Sequence, residues 1–560
     1  MEESQFDVVI FGTGLVESIV AAALSKAGYK VAHIDSNSYY GGDEASLSLE
    51  EFIKWADDAS HSSDPSSRFQ SVTRSSDIPP QSRQYSICLQ PAVISAVGPL
   101  ISSLIMSGVA KYSGFRLLDC VSVYDSSGRA RSVPGSKEDI FKSKEISLIE
   151  KRRLMRFLTF AAADFTGKKE LEGKQTMPFL DFLQSVFSLS AEISTVIAYS
   201  LAFCMSAVEP TLPSLQRLQK YLRSGGRYGP SPFLIGHYGG IGDIAQGFCR
   251  AAAVSGGVYI LARKVTAVTQ APLSKTTENE DAAPTSKATF NYAIDLEDFP
   301  DTLSCNLIIS SPSYVPPNIR DQAFQLPSSS GFQSNVGSIA RCIAIIDQAL
   351  SIRSPENEMS SSPEQDTADA LGASPPQVSQ STSADSAIVF FPPSSVAGGS
   401  VTHSATALIN GEGSLSTPKG KWIVYITLPL PTIPEESVSS ESIVTPYLDA
   451  LLSLSVDPSR TPIKPLFTTF FLETSAATLS TSIIETSTNT NPCSYIVPPT
   501  LSVAPLPDIP DEATIIAEST YREAVKFFRS RNKPIGEDES EDLPFWPPIP
   551  AEDDEEDNEW

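Results

Sequence analysis

The chain has 560 residues, 41% of them hydrophobic and 19% charged, with a formal charge of −25. That length exceeds one compact core and predicts at least two domains, while the apolar fraction excludes a wholly disordered polymer. The acidity excludes the basic surface that nucleic-acid binding needs and weakens any general attraction to anionic membranes.

The acidic start leads directly into an apolar run at 6–12 (FDVVIFG), so a strand and no secretory signal are expected. Residues 15–27 repeat apolar positions at helical spacing and 29–35 (YKVAHID) read as a second strand, which makes a βαβ opening. Residues 59–83, rich in Ser, Pro, Asp and Arg, are expected to form a flexible surface insertion. The uncharged stretch 91–110 is interrupted at Gly98-Pro99, which predicts two buried helices rather than a membrane span.

From 146 to 225 the apolar spacing turns helical: Phe179, Phe182, Leu183, Val186 and Phe187 share one face, as do Ile193, Val196, Ile197, Leu201 and Cys204. A helical domain over 146–225 follows. Strands are predicted at 256–261, 264–269, 289–296 and 305–311, with a disordered hairpin tip at 272–287, and again at 387–391 and 421–428. Residues 351–384 are Ser, Pro, Gln and acidic throughout, so a disordered insertion is expected, and a helix is predicted at 513–530. Twelve Asp and Glu and no Lys or Arg stand from Gly536 to Trp560. This tail is expected to be mobile and dispensable for folding, with Phe545-Trp546-Pro547-Pro548 as its one apolar knot.

Seven cysteines are scattered without a CxxC pair and only four histidines occur, so neither a zinc site nor a disulfide framework is expected. This usage suits a reducing cytosol. No GxSxG elbow is present, and His33 and His237 have no evident catalytic partner.

Gly12-Thr13-Gly14-Leu15-Val16-Glu17 lies where a dinucleotide fingerprint belongs, between strand and helix. Gly12 and Gly14 fit the turn and the approach of a pyrophosphate, and Asp35 fits the ribose carboxylate. The third glycine position holds Glu17. A charged glutamate suits the helix dipole there, but a pyrophosphate beside it would meet repulsion of roughly 4 kcal/mol at ~4 Å and an effective dielectric of ~20. No flavin or nicotinamide cofactor is therefore expected.

The segment 6–42 (FDVVIFGTGLVESIVAAALSKAGYKVAHIDSNSYYGG) resembles the opening of the Rab escort protein and Rab GDP-dissociation inhibitor superfamily. A second block, 224–260, and a third, 115–157, are similar to the same superfamily. The resemblance covers roughly 1–350 and implies an α/β flavoenzyme-like domain of mixed sheets, built from 1–145, 226–350 and 385–535, plus an all-helical domain. It implies that Rab GTPases dock on Tyr40, Asp243, Gln246, Arg250, Val258 and Ile260, with Arg227 nearby; Asp243 stands where the superfamily usually has glutamate. Tyr40 capping a turn and Arg250 pairing internally with Asp243 are the plain alternatives.

The insertions and the Pro-rich acidic tail resemble escort proteins. This implies a non-catalytic cytoplasmic accessory component that presents Rab to the Rab geranylgeranyltransferase heterodimer. It would then shelter the geranylgeranyl lipid and touch membranes transiently. A Rab GDP-dissociation inhibitor and a flavin amine oxidase are the alternatives.

Overall fold

The computed structural model describes residues 4–61, 67–135, 140, 146–270, 290–311, 314–316, 324–325, 337–352, 384–435, 437–455, 462–474, 494–499, 501, 505–532 and 543–548. Two eight-stranded sheets and a group of helices organise them.

In the first sheet, strands Val258–Ile260, Val31–Ile34, Gln5–Phe11 and Leu303–Ser310 run parallel in that order, and Tyr292–Leu296 and Val265–Gln270 extend it antiparallel. The central strands are continuous apolar runs because both faces are covered. Helices Leu15–Lys26, Ile241–Val254 and Ile509–Asn532 pack on one face, around Val8, Ile10, Ile19, Phe248 and Tyr521. Phe6, Val9, Phe11, Ile294 and Ile308 form a core on the other. This is the βαβ opening expected at 6–35. The strands predicted at 256–261, 264–269, 289–296 and 305–311 correspond to Val258–Ile260, Val265–Gln270, Tyr292–Leu296 and Leu303–Ser310.

The second sheet is built from Phe69–Arg74, Phe467–Thr474, Ser338–Ile346, Trp422–Leu430, Ala405–Asn410, Ser386–Phe391, Cys120–Tyr124 and Ala130–Ser132, in that order. It is antiparallel except where Ser386–Phe391 meets Cys120–Tyr124. Between the two halves of the first sheet, the chain forms helices Leu148–Ala162, Phe179–Phe187, Ala191–Val196 and Thr211–Ser224 with a π turn at Ile197–Leu201. Ser147 and Ser190 cap two of them by accepting the N–H of Glu150 and Ile193. Phe157, Phe160, Phe179, Phe182 and Phe187 fill a core of their own. The architecture is therefore the expected α/β arrangement of mixed sheets with a helical portion.

Three expectations need correction. Within 59–83, residues 59–61 end helix Leu49–His61 and Phe69–Arg74 forms an edge strand with Phe69 and Val72 buried, so this stretch is partly built into the fold. The polar composition misleads because an edge strand needs only one apolar face. Within 91–110, one α-helix forms, Pro99–Ser107, with Pro99 at its first turn, followed by the short 3-10 turn Val109–Lys111. The part before Gly98 is a short strand, Ile94–Ser95, paired with Phe233–Gly236. In the tail, Trp546 is buried at 3% exposure, so the segment 543–548 is not free. The expected hairpin tip 272–287 and most of the insertion, 353–383, lie outside the described residues. Among the described residues no helix is long and apolar enough to cross a membrane.

Candidate functional site

Gly12 makes the turn out of the first strand at φ +90°, a conformation that glycine adopts without steric cost. The groups around that turn are already committed. Asp35 is fully buried and accepts from Thr13 N–H at 2.8 Å, Thr13 Oγ1 at 2.6 Å, Asn37 N–H at 2.8 Å and the Tyr314 hydroxyl at 3.3 Å. The Tyr314 ring lies 3.5 Å from where a Cβ on Gly12 would stand. Above Gly14, the same construction meets Glu17 Oε2 at 2.7 Å and Glu44 Oε2 at 2.8 Å. Leu15 N–H, at the start of helix Leu15–Lys26, donates to Glu44 Oε2 at 3.2 Å. A carboxylate of the chain thus takes the helix-terminal position that suits a phosphate.

The charge argument for Glu17 is corrected by its surroundings. Burial, then neighbouring Glu44, pushes the Glu17 carboxyl up to about 8, so it is mainly neutral at pH 7. Burial also raises Glu44, to about 7, against the opposing pull of Arg68. Bulk and occupied hydrogen-bond positions, more than fixed charge on Glu17, fill the space of a pyrophosphate. The residues do not fit a dinucleotide.

Glu44 opens onto a buried ion network. Arg68 lies 3.6 Å from Glu44, 3.0 Å from Asp43 and 2.7 Å from Glu473, and Arg341 Nε is 2.6 Å from the other Glu473 oxygen. Burial alone would raise Glu473, but Arg341 and Arg68 outweigh it and bring the carboxyl to about 2. The network ties the Gly41–Glu44 loop to strands of the second sheet. The same loop is fixed to the fingerprint by Gly41 N–H, which donates to Thr13 O at 3.1 Å and Thr13 Oγ1 at 3.0 Å.

Tyr40, immediately before that loop, is half-buried and meets Tyr259 edge to face at 5.7 Å; Tyr259 in turn lies against His33 at 5.0 Å. Burial lowers His33 to about 4, and its Nε2 is hydrogen-bonded to Gly12 O, so it is a packed neutral ring. Helix Ile241–Val254 runs beside this edge. It approaches closely because a side chain at Gly242 would strike the backbone of Ser46. Gln246 and Arg250, one turn apart, are exposed on its outer face, and Val254 follows at 73% exposure. Asp243 is half-buried and raised to about 6 by burial.

Arg250 does not pair with Asp243. Its guanidinium stands 4.6 Å from the Tyr112 ring centre, a cation–π contact that holds it out towards solvent. Val258, 43% exposed, and half-buried Ile260 lie on the edge strand of the first sheet and alternate to the face opposite Tyr259. The structure therefore gathers Tyr40, Asp243, Gln246 and Arg250 about one sheet edge, with Val258 and Ile260 around its rim. Arg227 is apart: it is exposed after helix Thr211–Ser224, lies over Tyr228, and no described contact joins it to Tyr40 or helix Ile241–Val254.

Sequence reasoning missed Glu44, Arg68, Tyr112, Tyr259 and Tyr314. Glu44 alone left a local signal, the second of two acidic residues that follow the YYGG run; the others act through neighbours remote in sequence.

Residues 1–361 match the family model described as "GDI: GDP dissociation inhibitor". A Drosophila melanogaster protein named Rab proteins geranylgeranyltransferase component A is 37% identical over 281 residues, covering 47% of this chain and 53% of the relative. An Arabidopsis thaliana protein named Rab escort protein 1 is 31% identical over 315 residues, covering 48% and 56%. The chain thus spans about half the length of the curated relatives it matches. Among solved structures, a Rab GDI from Plasmodium falciparum superposes with a TM-score of 0.58 at 19% identity, covering 94% of this chain and 98% of the other. That likeness establishes the fold, and the family match over more than half of the sequence establishes the lineage: this chain belongs to the GDP dissociation inhibitor family.

Proposed function

We propose that the chain is a Rab escort: it binds newly made Rab GTPases, presents them to the Rab geranylgeranyltransferase heterodimer and carries the prenylated product to membranes. The observation that carries this reading is the exposed row of Gln246 and Arg250 beside Tyr40, unpaired with Asp243 and open to a partner. The names of the relatives support the escort assignment. The chain itself catalyses nothing in this reading: its remnant nucleotide site is filled by its own carboxylates, and the transferase performs the chemistry.

Tyr40, Asp243, Gln246 and Arg250 form the docking surface, Val258 and Ile260 extend it around the sheet rim, and Arg227 contributes at its margin. The helices of 146–225 meet the transferase and part around the isoprenoid. Burying a C20 chain at about 0.8 kcal/mol per CH₂ contributes ~10 kcal/mol or more in gross terms. The protein works in the cytoplasm and contacts membranes transiently.

The family description favours a second reading, a GDP-dissociation inhibitor that recycles prenylated Rab. Titrating the chain with unprenylated and with prenylated GDP-loaded Rab separates the two. An escort binds the unprenylated form tightly, whereas strong preference for the prenylated form supports the inhibitor.

A further inference from the structure

Ten residues, 533–542, five of them acidic, separate helix Ile509–Asn532 from the segment Leu543–Pro548. In that segment Leu543, Pro544 and Pro548 are exposed, Phe545 and Pro547 half-buried, and Trp546 alone is buried. Its indole enters a groove between helices Pro99–Ser107, Ile241–Val254 and Ile509–Asn532. The Trp546 ring stacks on Phe248 at 5.9 Å, and its Nε1–H donates to Ser103 Oγ at 3.0 Å. Phe545 meets Tyr521 edge to face at 5.4 Å, and the Tyr521 hydroxyl donates to Pro544 O at 3.2 Å.

This is the pattern of a short docking motif: one desolvated aromatic anchor, a satisfied indole N–H, and prolines that restrict the free chain. The groove lies behind helix Ile241–Val254, where Phe248 faces inward between outward-facing Gln246 and Arg250. The chain's own segment can reach it. From Tyr521 to Asn532 the helix rises roughly 16 Å, and a ten-residue link spans up to ~33 Å, enough to double back.

We propose that this groove is a docking site for the chain's own Leu543–Pro548 segment, which closes as a detachable aromatic clasp behind the helix that carries Gln246 and Arg250. The clasp is separable from the fold. Its anchor is a single side chain, and the Ser103 hydroxyl, the indole N–H and the Tyr521 hydroxyl can all return to water when it leaves. Because a short tether gives an effective concentration in the millimolar range, the segment occupies the groove in cis and competes with the same sequence supplied in trans.

The test uses the full chain, its Trp546→Ala variant, and a fluorescent peptide of residues 541–550. Circular dichroism checks the fold of the variant, and size exclusion checks that both chains are monomeric. Anisotropy should show the peptide binding the variant, binding the wild-type chain at least about tenfold more weakly, and losing its affinity when the peptide carries Trp546→Ala. Equal affinity for both chains, no binding to the folded variant, or undiminished binding of the altered peptide would each overturn the proposal. So would an unfolded variant, which would make the segment an integral part of the core, or a wild-type dimer, which would place the segment in a second copy.

Discussion

Glu44 accepts the backbone N–H of Leu15 at 3.2 Å, closing the N-terminus of helix Leu15–Lys26 with a side chain 29 positions away. In a dinucleotide enzyme those N–H groups face a pyrophosphate. Here the helix end, the carboxylate of Asp35 and the space over Gly12 and Gly14 are all taken up by the protein itself. The loop that delivers Glu44 is also the loop that follows Tyr40, so the turn at Gly12 and Gly14 supports the proposed docking surface.

A purified preparation is therefore expected to be colourless. Visible absorbance of a flavin, retained in stoichiometric amount through gel filtration, would show that Glu17, Glu44 and Tyr314 move aside.

Glu17 makes stability depend on pH. The unfolded chain releases this proton near 4.5 and the folded chain near 8, so the folded state holds the extra proton between those values. The stability contribution is full below pH 4.5 and is lost as pH rises to about 8. Thermal midpoints measured from pH 5 to 9 should fall more steeply for the wild type than for Glu17→Gln, which cannot ionise. Glu44 and Asp243, both raised by burial, leave the variant a residual slope of the same sign. Parallel curves would mean that Glu17 is hydrated.

Glu473→Ala should be among the most destabilising single changes. Glu473 is 4% exposed and Arg341 2%, and removing the carboxylate leaves Arg341 and Arg68 without their shared partner. Breaking a buried pair from one side costs about 3–5 kcal/mol. Denaturant titration measures this directly; a loss below about 1 kcal/mol would mark the network as solvated and weak.

Arg250→Glu should leave the fold intact, because the side chain is exposed and rests on the Tyr112 ring. Losing a charge-assisted hydrogen bond across an interface lowers affinity roughly ten- to a hundredfold. Calorimetry with unprenylated Rab should show that loss, with Tyr112→Ala giving a smaller one. Unchanged affinity with a normal circular dichroism spectrum would remove Arg250 from the surface.

The local pattern carried most of the fold. The alternation and apolar runs of 6–12, 29–35 and 421–428 correspond to strands Gln5–Phe11, Val31–Ile34 and Trp422–Leu430, and the helical spacing at 513–530 to helix Ile509–Asn532. What stayed hidden depends on long-range partners. Arg68 sits in a stretch whose composition suggests a loop, yet its carboxylate partner Glu473 is 405 positions away. Trp546 lies in an acidic, Pro-rich run that any window average reads as disordered, while the serine that receives its N–H is 443 positions away. The protonation of Glu17 is hidden from the local sequence for the same reason: burial and its neighbour Glu44, both products of tertiary folding, keep it protonated.

The measurement that bears most directly on the proposed role is a reconstituted prenylation reaction containing unprenylated Rab, the geranylgeranyltransferase heterodimer and geranylgeranyl diphosphate. With this chain added, lipid transfer to Rab should proceed. Without the chain, or with the chain but no transferase, it should not, and Arg250→Glu should slow it in step with its lost affinity. Transfer at the same rate with and without the chain, while the chain still extracts prenylated Rab from membranes, would contradict the escort role and leave a dissociation inhibitor in its place.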